Sequence, residues 1–131
     1  MTGMTKDETR PAYDDAVARF SIQNALAGLR GDLETGLNAC VECCDRHAGA
    51  GRVALRCLSA DEVLTEYTFE DLQGLSARAA NVFAAQGIRP GDVIAGLLPR
   101  RVALVATVLG AWRLGAVYQP LFAAFGPKAI E

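Results

Sequence analysis

The sequence predicts a mixed α/β fold: a helical N-terminal segment, a β-hairpin, then a βαβαβ-type parallel sheet covered by helices. Three observations predict it. Apolar residues recur at helical spacing, loosely, through the first fifty positions. Two short strand-like runs flank a polar turn near residue 60. From there to the end, strand-like runs alternate with helical stripes, the pattern of parallel strands joined by crossover helices.

The order along the chain follows from local signals. Residues 1–12, polar and acidic, are expected to be disordered, and residues 13–50 form a helical lead-in. Tyr13 to Leu29 reads as one helix carrying Ala16, Val17, Phe20, Ala25, Leu26 and Leu29, closed by Gly28 and Gly31. A second helix is expected from Leu37 to Ala48, closed by Gly49-Ala50-Gly51. Residues 51–131 form the α/β portion. Val53–Leu58 and Val63–Tyr67 are the hairpin strands. Thr68 is placed to cap the next helix, with Glu70 and Asp71 in its first turn, where the helix dipole favours negative charge. Leu72, Leu75, Ala79, Val82 and Phe83 give that helix one apolar stripe, and Gly87, Ile88 and Pro90 end it. Asp92–Leu98 is a strand, Arg101–Leu114 a helix that is apolar nearly all round, and Ala116–Leu121 a further strand. Gly126-Pro127 then reads as the start of another helix, with proline at a first position where a missing N–H costs nothing. Strands this apolar call for cover on both faces, and two modest N-terminal helices supply too little. The expectation is that part of this surface packs on further polypeptide, so that the chain is a piece of something larger.

The bulk numbers narrow the function classes. The chain has 131 residues, 51% apolar and 21% charged, with a formal net charge of -2. That balance argues against nucleic-acid and membrane-surface partners, which are usually met by basic patches. The N-terminus lacks the basic-then-apolar order of a secretory signal. The run Val102–Trp112 is too short to span a bilayer. A cytoplasmic protein is the plain expectation. Four cysteines, three of them clustered, do not form the pattern of a disulfide framework.

Chemistry is harder to find. Cys40, Cys43, Cys44 and His47 fall at i, i+3, i+4 and i+7, a spacing that puts them on one side of a helix. Thiolates and imidazole are zinc ligands. One straight helix cannot easily wrap four ligands around an ion, however, and the same spacing describes a core stripe of Leu37, Cys40, Val41 and Cys44 in which cysteine packs as a small hydrophobe. The core reading is preferred. His47, the sole histidine, is expected to pack or cap near the end of its helix. Arg100 and Arg101 open an apolar helix, either as anion ligands or, the preferred reading, as solvated residues at a strand-to-helix corner. Asp45-Arg46 and Glu70-Asp71 read as surface charges. No phosphate-binding glycine motif is present.

Three stretches carry a resemblance. LNACVECCDRHA, YTFEDLQGLSARAANVFAAQGIRPGDVIAGLLP and LVATVLGAWRLGAVYQPLFAAFGPKAIE, spanning residues 37 to 131 between them, resemble the N-terminal region of AMP-forming acyl-CoA synthetases of the adenylate-forming superfamily. Acetyl-CoA synthetases and medium-chain acyl-CoA ligases are nearest. The resemblance implies an incomplete part of a larger N-terminal domain. It implies a parent that activates a carboxylic acid with ATP, with Mg for the ATP, and passes the acyl group to CoA. The family's phosphate loop, adenine motif, ribose-binding aspartate and C-terminal lysine do not occur here, so the chain alone is expected to be inactive and to bind none of these. The resemblance places Phe122, Ala123 and Ala124 near bound CoA, in a positioning role. Relatives often have two glycines where this chain has Ala123-Ala124, which puts close backbone approach in question. No catalytic and no metal residues are assigned. The partners implied are the rest of the parent chain and, through exposed apolar surface, a second copy. A stand-alone α/β interaction module is the alternative, and a thiol or metal sensor the third reading.

Overall fold

The computed structural model describes residues 9–122. Two helices, α1 (Thr9–Arg19) and α2 (Ile22–Ala27), open the chain. A short α3 (Ala39–Cys43) runs into a 3-10 turn, Asp45–His47. The hairpin follows as β1 (Val53–Leu58) and β2 (Leu64–Thr68), then α4 (Phe69–Ala85), β3 (Val93–Gly96), α5 (Val102–Arg113) and β4 (Val117–Pro120). The parallel sheet anticipated from the alternation of strands and helices is the β3–β4 pair, in register Val93↔Val117 to Gly96↔Pro120 and joined by α5 as one βαβ unit. The hairpin is antiparallel and forms a two-stranded sheet of its own.

The N-terminal half departs from expectation in three ways. Helix begins at Thr9, inside the stretch expected to be disordered; residues 1–8 lie outside the described residues. The single helix expected over 13–29 is broken at Phe20-Ser21, because Ser21 is extended and its hydroxyl accepts from the Asn24 N–H, starting α2 afresh. The helix expected over 37–48 is broken at Cys44, which adopts φ -130° and ψ -66°. Asn38 caps α3 by accepting from the Cys40 and Val41 N–H groups, and its amide donates to the Arg113 carbonyl at 3.2 Å. Asp45 is held by Arg113 through two 2.7 Å bonds. These distant ties, rather than local propensity, set where α3 ends.

The α4 signals read as anticipated. Thr68 and Asp71 form a reciprocal capping box. At the far end the Ile88 N–H reaches the Phe83 carbonyl and the Gly87 N–H reaches Ala84, with Gly87 at φ +89°. The buried line is Leu72, Ser76 and Ala80, and Val82 faces out. The predicted stripe was therefore rotated by part of a turn. α5 packs along α4 and α3, burying Ala106, Leu109, Gly110 and Ala111. Gly110 permits the close approach: a Cβ there would lie 2.8 Å from Ala79 Cβ and 3.1 Å from the Ala80 nitrogen. The core is Cys40, Cys44, Leu72 and Leu109, ringed by Leu55, Tyr67, Phe69 and Trp112.

Among the described residues, the cover required by an apolar parallel sheet is missing from one face. Val93 and Val117, paired across the ladder, are 57% and 53% exposed. Leu97 beyond β3, and Leu58 and Leu64 of the hairpin, are also exposed. Among the described residues no helix is long and apolar enough to cross a membrane.

Candidate functional site

Parallel strands converge their side chains and the following loops at their C-terminal ends, and ligands of open α/β sheets bind in the crevice just beyond. Here that crevice lies past Gly96 and Pro120. The Leu121 N–H donates to the Gly96 carbonyl at 2.9 Å, carrying the ladder one residue further and fixing where Phe122 emerges. Tyr118 lies across the β3 end: its hydroxyl donates to the Gly96 carbonyl at 3.4 Å, and a Cβ on residue 96 would collide with the ring. Glycine at 96 is thus a condition for Tyr118 to form the floor.

A cavity of about 300 Å³ opens at this point, with Leu98, Pro99, Leu104, Tyr118 and Leu121 as apolar walls, Phe122 at the rim and Arg100 as the one charged residue among the described residues that line it. Phe122 is 63% exposed. Ala123 and Ala124, the other two expected site residues, lie outside the described residues. A second cavity, about 520 Å³, separates the hairpin loop from the start of α5 and is lined by Cys57, Ser59, Val63, Thr65, Arg100 and Arg101. A third, about 260 Å³, runs beside it along Leu55, Arg56, Leu58 and Val105, again with Arg100 and Arg101. Arg100 lines all three. It is exposed, as anticipated for a strand-to-helix corner.

The cysteine cluster is not brought together as a site. The chain turns at Cys44, so the four residues do not share one straight helix. Cys40 and Cys44 are buried and Cys43 is exposed. Burial pushes the Cys40 thiol up, and takes Cys44 up to about 11, so both stay protonated at neutral pH. The Cys44 thiol donates to the Phe69 carbonyl. No group of three or more His, Cys, Asp or Glu among the described residues is placed to hold a metal ion. His47 packs against Phe69 with ring centres 5.1 Å apart.

Two groups read as surface charges are not. Asp45, with Arg113, makes a bidentate pair whose side chains are 17% and 25% exposed, and Arg113 also donates to the Ser76 hydroxyl at 3.0 Å. The hydrogen bond to Asp45 raises the guanidinium pKa further. Glu70 accepts the Gly49 and Gly51 N–H groups with one oxygen. Its own backbone N–H and that of Gly51 hold its carboxyl down at about 2. These groups tie the lead-in segment and the loop before β1 onto α4 and α5, and so fix the scaffold behind the crevice.

Comparison with known proteins places the chain in a family. The family model described as AMP-binding enzyme matches residues 44–131. The acetyl-coenzyme A synthetase of Bacillus subtilis (strain 168) is 41% identical over 131 residues, 95% of this chain and 22% of that protein. The acetyl-coenzyme A synthetase of Burkholderia mallei (strain SAVP1) is 32% identical over 98 residues, 72% of this chain and 15% of that protein. Among solved structures, a Brucella canis acyl-CoA synthetase superposes with TM-score 0.82 at 65% identity, covering 90% of this chain and 22% of that one. Apo MatB from Rhodopseudomonas palustris superposes with TM-score 0.58 at 26% identity, covering 68% and 17%. The chain therefore spans less than a quarter of the length of each of these proteins.

Proposed function

The chain belongs to the AMP-binding enzyme family, and from that premise we propose that it is the N-terminal portion of an ATP-dependent, AMP-forming acyl-CoA synthetase. The reaction is an acid–thiol ligation in two halves. A carboxylate attacks the α-phosphorus of ATP, giving an acyl-adenylate and pyrophosphate. The CoA thiolate then attacks the acyl carbon, and AMP leaves. The family match over residues 44–131 carries the reading.

Within that reaction the role of this chain is positional. The β3 and β4 ends, with Phe122 and the following Ala123 and Ala124, form part of the wall along which CoA lies. Holding a reactant in place lowers the entropic cost of the transfer step without any proton changing hands. In this reading Mg travels with ATP as part of the substrate. Residues 9–122 alone carry no acyl-adenylate chemistry, and the 131-residue chain is inactive by itself. A cytoplasmic location belongs to the same proposal.

The test is acid-dependent exchange of pyrophosphate into ATP. The longest natural polypeptide containing this sequence is expected to support it with a short- or medium-chain acid, and the isolated 131-residue chain to show none. Exchange by the isolated chain would overturn its inactivity, and no exchange by the longer polypeptide with any acid would overturn the ligase reading. The open sheet face, with Val93 and Val117 unpacked, favours one second reading: the chain serves as a docking module, either for the rest of the parent polypeptide or for a second copy.

A further inference from the structure

The leading helices carry an apolar stripe that no other described element meets. Tyr13, Ala16, Val17 and Phe20 fall at i, i+3, i+4 and i+7 along α1 and just past its end, which gathers them on one side of the helix. Tyr13, Val17 and Phe20 are each more than half exposed. Ile22 and Leu26 continue the spacing in α2 and are exposed as well. The elements that pack on one another are α3, the 3-10 turn, α4, α5 and the four strands; α1 and α2 are not among them.

Helices of 11 and 6 residues are too short to persist in water on propensity alone, so their helicity depends on packing an apolar face. Charge is kept off that face. Asp15 and Arg19 fall on the opposite side of α1 and pair with each other at 3.1 Å. A stripe of this spacing with a polar back is the form of a helix that lies in a groove.

The anchor of the lead-in limits where the groove lies. Arg46 donates to the Gly28 carbonyl at 2.5 Å, and Glu42 accepts the Arg30 and Gly31 N–H groups, so the chain is fixed beside α3 at residues 28–31. From there the two helices carry the stripe outward by at most roughly 30 Å. A tethered surface within that reach is met at an effective concentration on the order of millimolar, which favours it over a free second copy. The chain spans less than a quarter of the length of the relatives it matches.

We infer that α1 docks its Tyr13–Val17–Phe20 face into an apolar groove on the same polypeptide beyond residue 131, outside the α/β body that α3, α4 and α5 enclose. This rests on the ligase reading, which supplies the further polypeptide. The N-terminal helices are then a strap across the parent enzyme, tied at residues 28–31 to this portion and at α1 to another.

Amide hydrogen exchange over residues 12–20 tests the strap in the 131-residue chain and in the longest natural polypeptide containing it. In the 131-residue chain these amides are expected to exchange near the unfolded rate. In the longer polypeptide they are expected to be protected about a hundredfold, the scale that burial of two apolar side chains supports. Val17→Asp with Phe20→Asp is expected to abolish that protection and to leave the urea midpoint of the 131-residue chain unchanged. Equal exchange in the two wild-type proteins overturns the inference without recourse to a variant. Protection in the 131-residue chain that rises with its concentration and is lost in the double variant also overturns it, by making a second copy the occupant. A lowered midpoint of the double variant in the 131-residue chain does the same, by placing α1 on its own α/β body. Acid-dependent pyrophosphate exchange separates the two readings. Its presence with residues 12–20 unprotected overturns the strap alone, and its absence with those residues protected overturns the ligase reading alone.

Discussion

Glu70 shows how much a single side chain can organise when it stands at a helix start. One oxygen accepts two N–H groups from the glycine loop before β1, and the other is buried without a hydrogen-bond partner among the described residues. The carboxyl is held near 2 against an ordinary value of 4.5. A carboxylate depressed in the fold stabilises it above the unfolded pKa, and that contribution is lost as pH falls through the folded one. The loss attributable to Glu70 therefore falls between about pH 4.5 and 2. Glu70→Gln is expected to lower the urea midpoint at pH 7 and to flatten its dependence on acid across that window, with Asp71 and Glu42, also depressed, sustaining the remaining slope. Parallel midpoint curves for the two proteins would show that Glu70 plays no such part. The sequence revealed Glu70 only as a favourable charge in a first turn. Its bonds to Gly49 and Gly51 depend on a loop path that no local signal specifies. Arg100 and Arg101, by contrast, are exposed at the strand-to-helix corner, as the local pattern alone suggests.

Among the elements, α4 and α5 meet through Gly110. Replacing it with alanine sets two effects against each other. Helix propensity favours alanine by about 1 kcal/mol. Crowding against Ala79 and the α4 backbone costs about 1–3 kcal/mol, since backbone atoms cannot swing aside. Gly110→Ala is expected to destabilise by up to about 2 kcal/mol in urea unfolding, and Ala79→Gly in the same chain to return part of that. A stabilised Gly110→Ala would mean that the helices separate easily. The contrast between α4 and α3 explains which elements were legible. The Thr68 cap, the apolar spacing and the Gly87 stop of α4 all lie within twenty residues of one another, so the sequence reveals both ends. α3 ends at Cys44 because Asn38 and Asp45 are bound to Arg113, and a periodicity argument cannot see a partner so distant. The crevice was legible in part: the strand ends followed from the pattern, while the assignment of Phe122 came from family resemblance alone.

Over the whole molecule, the balance of packed and open surface is uneven. α4 and α5 enclose the core, yet one face of the parallel pair is bare and the apolar Tyr13, Phe20 and Ile22 of the leading helices are exposed. With a net charge of only -2, little repulsion keeps copies apart. Concentration-dependent association of the isolated chain is expected in sedimentation velocity. Val93→Lys with Val117→Lys, which places charge on the bare face, is expected to return it to monomer without altering its circular dichroism. A wild-type monomer at all concentrations would remove the docking reading for this face.

The pair between Asp45 and Arg113 bridges 68 positions of sequence. A ribosome adding roughly 5–20 residues per second separates the emergence of the two by roughly 3–14 s. For that interval Asp45 is outside the exit tunnel and its partner is not. Hairpin and helix formation are complete within microseconds, so α4 can stand ready long before α5 arrives. Until α5 is made, the lead-in segment is thus held only through α4, by Glu70 on Gly49 and Gly51 and by Cys44 on the Phe69 carbonyl.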